Sequence, residues 1–334
     1  MKKVRFLGLD VHAETIAVAV AEPDGEVRSL GIIPNREESI RKLVKKLGPP
    51  EQLRACYETG PTGYVLYWQL TSWGVQCEVV APTLVPVKAG DLTPVWVPDE
   101  AREALRDVVR AREAAKQDQL RASHRLSKFL LRQGRRPPTG VKPWTLKYLD
   151  WIRQQVQFEQ PAQEYVRLDD LHEVAHCNDR VQRLEVAIRE AVKLAPPKMQ
   201  EVIQALQALR GIAQVSAVTI VSELGQISRF AGARQLMGYS GAVASENSSG
   251  KRVQRGAITK TGNAHLRRVV IEAAWAYRHR PAIGATLRSR QQGVREEVKE
   301  IAWKAQHRLH KRYRSLTAAG RLAIGVLSLE LESV

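Results

Sequence analysis

The chain has 334 residues, 44% hydrophobic and 26% charged, with a formal net charge of +17 and a sequence pI near 10.0. That length allows about two domains with cores of their own, the balance excludes a disordered chain, and the positive excess points to a polyanionic partner, nucleic acid first and an anionic membrane second. No run approaches the roughly 18 apolar residues of a membrane span, and no apolar stretch follows Lys2, Lys3 and Arg5, so a soluble, unexported protein is expected.

In chain order, RFLGLD (5–10) reads as a buried strand, and TIAVAVAEPDGEVRSLGII continues it as a hairpin turning at Pro23, Asp24 and Gly25. A helical segment EESIRKLVKKLG follows, then the strand LRACYE, the helix YVLYWQLTSWG and the strand QCEVVAP. The order βββαβαβ is that of a ribonuclease H-like mixed sheet. Beyond a Pro-rich connection, TLVPVKAGDLTPVWVP, residues 99–135 and 163–194 read as two long charged helices. Val174, Cys177, Val181, Leu184, Ile188 and Ala191 recur there at spacings of three and four, a coiled-coil seam, and self-association through it is expected ahead of packing within the chain. LRGIAQVSAVTIVSELGQISRF reads as two helical pieces hinged at Gly211, a turn whose amides could face a phosphate, although Ala213 stands where a second glycine would help. Helices are expected over 264–279 and 294–313.

Three cysteines, Cys56, Cys77 and Cys177, show no CxxC spacing and indicate neither a disulfide framework nor a zinc knuckle. Charge is unevenly spread: residues 1–91 carry eleven Lys/Arg against eleven Asp/Glu, whereas residues 250–314 carry seventeen against four, a net of +13. His265, His279, His307 and His310 lie in that basic stretch, where phosphate contact or solvent exposure suits them better than a metal. Trp275, Trp303 and Tyr313 could stack on bases or belong to the core.

Asp10 ends the first strand and Glu58 the fourth, which are neighbours in such a sheet. Two hard oxygen donors side by side suit Mg²⁺ and phosphoryl chemistry; a turn former and a surface acid is the equal reading of the same residues. Residues 246–268 read ENSSGKRVQRGAITKTGNAHLRR, with Ser249 between Ser248 and Gly250 and then Lys251, Arg252, Arg255, Lys260, Arg267 and Arg268. A serine hydroxyl attacks phosphorus only where its proton is removed and cations stabilise the developing charge. Ser-Ser-Gly is also common loop material, and on the residues alone the linker reading stands ahead. Actin-like and sugar-kinase ATPases begin with a similar strand, Asp and hairpin, but residues 11–15 lack the glycine their phosphate loop needs.

GLDVH at the N-terminus, YETG around Glu58, LTPVWVPDEAREALRDVVRAREAAKQD and SSGKRVQRGAITKTGNAHLRRVVIEAAWAYR together resemble the insertion sequence 110 family of DEDD transposases, the group guided by a bridge RNA. The resemblance covers nearly the whole chain. It implies an α/β plus mainly α architecture: a shortened ribonuclease H-like (resolvase-like) domain over 1–91, a linker and long helical coiled coil over 92–198, and a helical, serine-bearing transposase domain over 199–334. It implies an enzyme that binds DNA ends, target DNA and a structured guide RNA, as a homo-oligomer without a membrane partner, in the cytoplasm at the nucleoid. By the same resemblance Mg²⁺ is held by Asp10 and Glu58, Ser249 (with Ser248 as second choice) becomes joined to the cleaved strand, and Lys251, Arg252, Arg255, Lys260, Arg267 and Arg268 contact nucleic acid. The family's K-T-D-x-x-D pattern, which supplies two further acids, is missing between CEVVAP and LTPVWVP; Asp91, Asp99, Glu100 and Glu103 are the nearby acids. The chain also departs from the family after Gly320, ending in AIGVLSLELESV. It therefore resembles an internally deleted copy with an incomplete metal site, and the competing expectation is a remnant that binds nucleic acid without cleaving it.

Overall fold

The structure, a computed structural model, describes residues 4–22, 25–81, 95–246, 249, 252 and 254–318, without the Arg255 side chain. The chain divides into two compact units, Met1–Pro98 and Asp99–Val334.

The first unit is a five-stranded mixed sheet with two helices. Strands β1 (Arg5–Val11), β2 (Thr15–Ala21) and β3 (Val27–Pro34) are followed by α1 (Glu37–Leu47), β4 (Leu53–Glu58), α2 (Val65–Ser72) and β5 (Gln76–Val80). The sheet order is β3-β2-β1-β4-β5, with β2 antiparallel to β1 and β3, and β4 parallel to both β1 and β5. Period-2 alternation sets the faces. Leu7 and Leu9 of β1, Ile16, Val18 and Val20 of β2, and Leu53, Ala55 and Tyr57 of β4 are buried in one cluster with Ile40, Leu43, Val44 and Leu47 of α1 and Leu66 and Leu70 of α2. Burying each large aliphatic side chain contributes about 1.5–3 kcal/mol, and a one-residue slip would turn the whole set to solvent. The intervening residues, among them Phe6, Asp10, Arg54 and Glu58, are exposed on the opposite face. Of the expected hairpin turn, Gly25 is described, at φ 90°. Pro23, Asp24 and most of the Pro-rich connection lie outside the described residues.

In the second unit α3 (Glu100–Arg132) and α5 (Pro161–Leu194) are the long helices, bridged by α4 (Leu146–Gln154). Asp99 caps α3, its side chain accepting from the Arg102 amide at 2.8 Å. Ion pairs Arg112 with Glu185 (2.7 Å), Arg180 with Asp118 (2.8 Å) and Arg125 with Asp170 (3.8 Å) show the two running antiparallel. Between them Val174 and Cys177 pack with Ala122 and Leu126, and Ile188 with Leu105 and Val109. The seam expected to carry self-association is thus closed within the chain. Its partner is the preceding long helix, whose alanines, Ala115 at 0% and Ala122 at 1% exposure, allow close approach.

The remaining elements are α6 (Pro197–Gln207), α7 (Gln214–Leu224), α8 (Ala233–Ser240), strands β6 (Ala244–Glu246) and β7 (Arg255–Ile258), α9 (Ala264–Ala274), α10 (Ala285–Arg290) and α11 (Glu296–Ala318). The helix expected over 264–279 tightens after Ala274 into a 3₁₀ turn, Trp275–Arg278, and the one expected over 294–313 runs further. Gly211, between α6 and α7, has φ 87° and a Cβ there would fall 2.4 Å from the Ala273 carbonyl oxygen. Close approach of α9, rather than phosphate binding, explains that glycine.

Candidate functional site

Two groups of residues carry possible chemistry, one in each unit. In the first, β1 and β4 are in register with Leu9 opposite Tyr57, so the next residue of each strand, Asp10 and Glu58, emerges on the exposed face. The structure brings these two together: both line an open cleft of about 600 Å³ with His12, Asn35, Thr59 and Thr62. His12 Nε2 lies 3.4 Å from Asp10 Oδ2, and Asn35 Nδ2 donates to the His12 carbonyl at 2.8 Å, tying down the loop after β1.

Among the described residues no group of three or more His, Cys, Asp or Glu could hold a metal ion. The pair supplies two carboxylates where Mg²⁺ takes six oxygens, so it fits an ion that keeps most of its water. Of the other acids weighed from sequence, two are engaged elsewhere. Asp99 caps α3 and pairs with Arg102, Glu103 pairs with Arg106 at 2.7 Å, Glu100 is exposed, and Asp91 lies outside the described residues.

In the second unit Ser249 belongs to a hairpin where sequence suggested only a loop. β6 and β7 are antiparallel, Ala244 opposite Ile258 and Glu246 opposite Arg255. Beyond them Ser249 and Arg252 exchange both backbone hydrogen bonds, at 3.2 and 3.1 Å. Ser249 is exposed, as is Arg252; Ser248, Gly250 and Lys251 lie outside the described residues.

The base of the hairpin is clamped. Thr259 N donates to the Val243 carbonyl at 2.9 Å, Lys260 N to Gly241 at 3.1 Å and Asn263 N to Tyr239 at 2.8 Å. Gly241, at φ 65°, has no room for a side chain unless the backbone shifts: a Cβ would fall 2.1 Å from the Thr261 carbonyl oxygen. Lys260 takes the left-handed conformation itself, at φ 58°, with its side chain exposed. Asn263 caps α9, Oδ1 accepting from Leu266 N at 2.9 Å, while its Nδ2 donates to Glu223 Oε2 at 2.7 Å.

Glu223 is wholly buried at the end of α7. Arg110 grips its carboxylate with two hydrogen bonds, 2.8 and 3.0 Å, and Arg106 lies 3.7 Å away while donating to the Ser222 carbonyl. Burial pushes the Glu223 carboxyl up, but the Arg110 and Asn263 hydrogen bonds outweigh it and hold the group below the usual range. Glu113 behaves alike: burial raises it, and hydrogen bonds from Arg268 and His265 bring it lower.

Two of the cations expected at nucleic acid have partners within the fold. Arg267 Nη1 donates to the Ser240 carbonyl at 2.7 Å, an internal anchor. Arg268 donates from Nε to Glu113 Oε1 at 2.7 Å and from Nη1 to both Glu272 oxygens at 3.0 Å, and His265 Nδ1 meets Glu113 Oε2 at 2.7 Å. Arg252 and Lys260 remain exposed. The thiols are unactivated: burial pushes Cys77 up to about 12, and raises Cys56 and Cys177. Sequence reasoning missed Glu223, Arg106, Arg110 and Asn263. The signal was present in QVSAVTIVSEL, where one carboxylate closes an otherwise apolar helix and, once buried, must find cations.

Residues 203–288, which include Glu223, the Ser249 hairpin and the clamp below it, match the transposase IS116/IS110/IS902 family. The chain is 40% identical, over 95% of its length and 83% of the relative's, to a protein of Sinorhizobium fredii described as the transposase y4qE. It is 28% identical, over 95% of its length and 97% of the relative's, to the transposase for insertion sequence element IS1533 of Leptospira borgpetersenii. The chain is an enzyme of the IS116/IS110/IS902 transposase family.

Proposed function

We propose that this chain cuts and rejoins DNA strands of an insertion sequence under direction of a structured RNA. The N-terminal unit is read as ribonuclease H-like, with Asp10 and Glu58 as the carboxylates that hold Mg²⁺, and Ser249 as the nucleophile. The observation that carries this reading is the register of β1 and β4, which sets the two acids side by side over one cleft. Bound there, the ion would supply Lewis acidity toward a phosphoryl oxygen. Ser249 Oγ would form the bond to phosphorus as the bond to the departing sugar oxygen breaks, that oxygen taking up a proton; rejoining is the reverse. The exposed Arg252 and Lys260 would offset the developing charge, with Lys251 and Arg255 as further candidates from sequence. A homo-oligomer would need a surface other than the α3/α5 seam.

The second reading is a binding-only remnant. It rests on the two carboxylates where the family pattern has four, and on an alignment to the Sinorhizobium relative that runs over 339 positions, more than this chain possesses. A denaturing gel with element-end DNA, RNA and Mg²⁺ separates the two. Protein–DNA adducts that vanish in Ser249→Ala, with DNA binding retained, support the nucleophile; retained adducts in that variant reject it. DNA bound but never cut supports the remnant.

A further inference from the structure

The segment that carries Ser249 runs from Tyr239, in the last turn of α8, to Asn263, the cap of α9, and both of these ends are fastened to one residue. The Tyr239 hydroxyl donates to the Glu223 carbonyl at 2.9 Å, and Asn263 Nδ2 donates to the Glu223 carboxylate at 2.7 Å. The two ends also meet each other. Asn263 N donates to the Tyr239 carbonyl at 2.8 Å, and Gly262, at φ 119°, passes so near that a Cβ would fall 2.4 Å from that same oxygen. Glu223 is a fixed point for both: it is buried, and two hydrogen bonds from Arg110 hold its carboxylate to α3.

At position 263 these contacts call for an amide. Oδ1 accepts from Leu266 N at 2.9 Å to cap α9, while Nδ2 faces an ionised carboxylate, which only accepts. One short side chain must therefore accept on one side and donate on the other. An Asp would cap α9 as well as Asn does, but it would turn a second negative charge toward Glu223. A Ser would cap the helix without reaching the carboxylate. The cap alone is thus open to several residues, and the bond to Glu223 is what the amide adds. That bond is short and charge-assisted, and it lies where the return strand β7 leads into α9. Its loss would free the hairpin to swing on the Tyr239 contact while the helix stays capped.

We propose that Asn263 is a positioning residue for strand joining: by fastening the return strand to Glu223, it sets where the Ser249 hydroxyl stands when it attacks. The assignment rests on Ser249 as the nucleophile. The test uses the full chain with element-end DNA, RNA and Mg²⁺. It reads the rate of adduct formation at saturating DNA, the DNA concentration at half-saturation, and hydrogen–deuterium exchange of the peptide 255–263. Asn263→Asp should lower the saturated rate about tenfold to a hundredfold, leave half-saturation unchanged and speed exchange. Asn263→Asp combined with Glu223→Gln swaps donor and acceptor at constant charge, and should recover most of the rate and the parental exchange. Should the added charge unfold the helical unit, Asn263→Ser removes the donor without it and carries the same expectation. Ser249→Ala should form no adduct yet exchange as the parent does. Parental rate and exchange in Asn263→Asp overturn the proposal. So does a rate loss that tracks an earlier melt and is not recovered by the swapped pair, which would leave Asn263 a helix cap alone. If the parent forms no adduct, the serine reading falls, and exchange in Asn263→Asp against the swapped pair still decides whether Asn263 holds the hairpin.

Discussion

Asp10 and Glu58 of the sheet unit and Glu223 and Glu113 of the helical unit are held in opposite ways. In the sheet unit the core is apolar throughout, and Asp10 and Glu58 sit outside it, the Asp10 side chain 74% exposed. In the helical unit Glu223 is 0% exposed and gripped by Arg110 and Asn263, and Glu113 is shared by Arg268 and His265. Exposed acids outside the core are open to a ligand, whereas acids enclosed with arginines hold helices in place. A paired, enclosed carboxylate is costly to orphan and inexpensive to leave alone.

The sharpest way to break that contrast is to neutralise the exposed pair. Asp10→Asn or Glu58→Gln should lower strand cleavage about a hundredfold or more, while a urea melt shifts within about 0.5 kcal/mol; a stability loss as large as the activity loss would make these acids structural. Glu223→Ala should do the reverse, costing about 3–5 kcal/mol because the hydrogen bonds from Arg110 and Asn263 to the buried carboxylate are lost, seen as an earlier transition for the helical unit. Gly241→Ala should cost about 1–3 kcal/mol through its left-handed backbone and the contact with Thr261. Acid should also act selectively. Glu223 and Glu113 sit below the ordinary glutamate range when folded, so their stabilisation is complete above the unfolded value near 4.3 and is lost as pH falls through the lower folded values. Melts of the helical unit should therefore be level near neutrality and decline below about pH 4, and Glu223→Ala should reduce that decline. The smallest effect is Asp99→Ala, about 1 kcal/mol from the α3 cap, with no change in metal dependence if Asp99 is no ligand.

Much of the sheet was legible because each strand is a period-2 pattern with one buried face, and strand ends fix which residues neighbour which. That Asp10 and Glu58 end neighbouring strands followed from that alone; the role proposed for them came from the resemblance. The seam of α5 was legible too, but periodicity reports an apolar stripe and not whose stripe it meets, so α3 of the same chain went unrecognised as its partner. The Ser249 hairpin was hidden because Glu-Asn-Ser-Ser-Gly has loop composition and its strands are three and four residues long. Counting Lys and Arg found the basic region but could not tell Arg267, tied to the Ser240 carbonyl, from Arg252, exposed beside the serine. That distinction lives in contacts between elements far apart in sequence.

Helix α3 has one more consequence. Its first half supplies Arg106, Arg110 and Glu113 to the seat under the hairpin, and its second half, through Ala122, Leu126 and Phe129, is gripped by α4 and α5. Thirty-three helical residues make a stiff shaft about 50 Å long. A torque applied at its far end would arrive at the footing of Ser249 as a rotation, undamped by any intervening hinge.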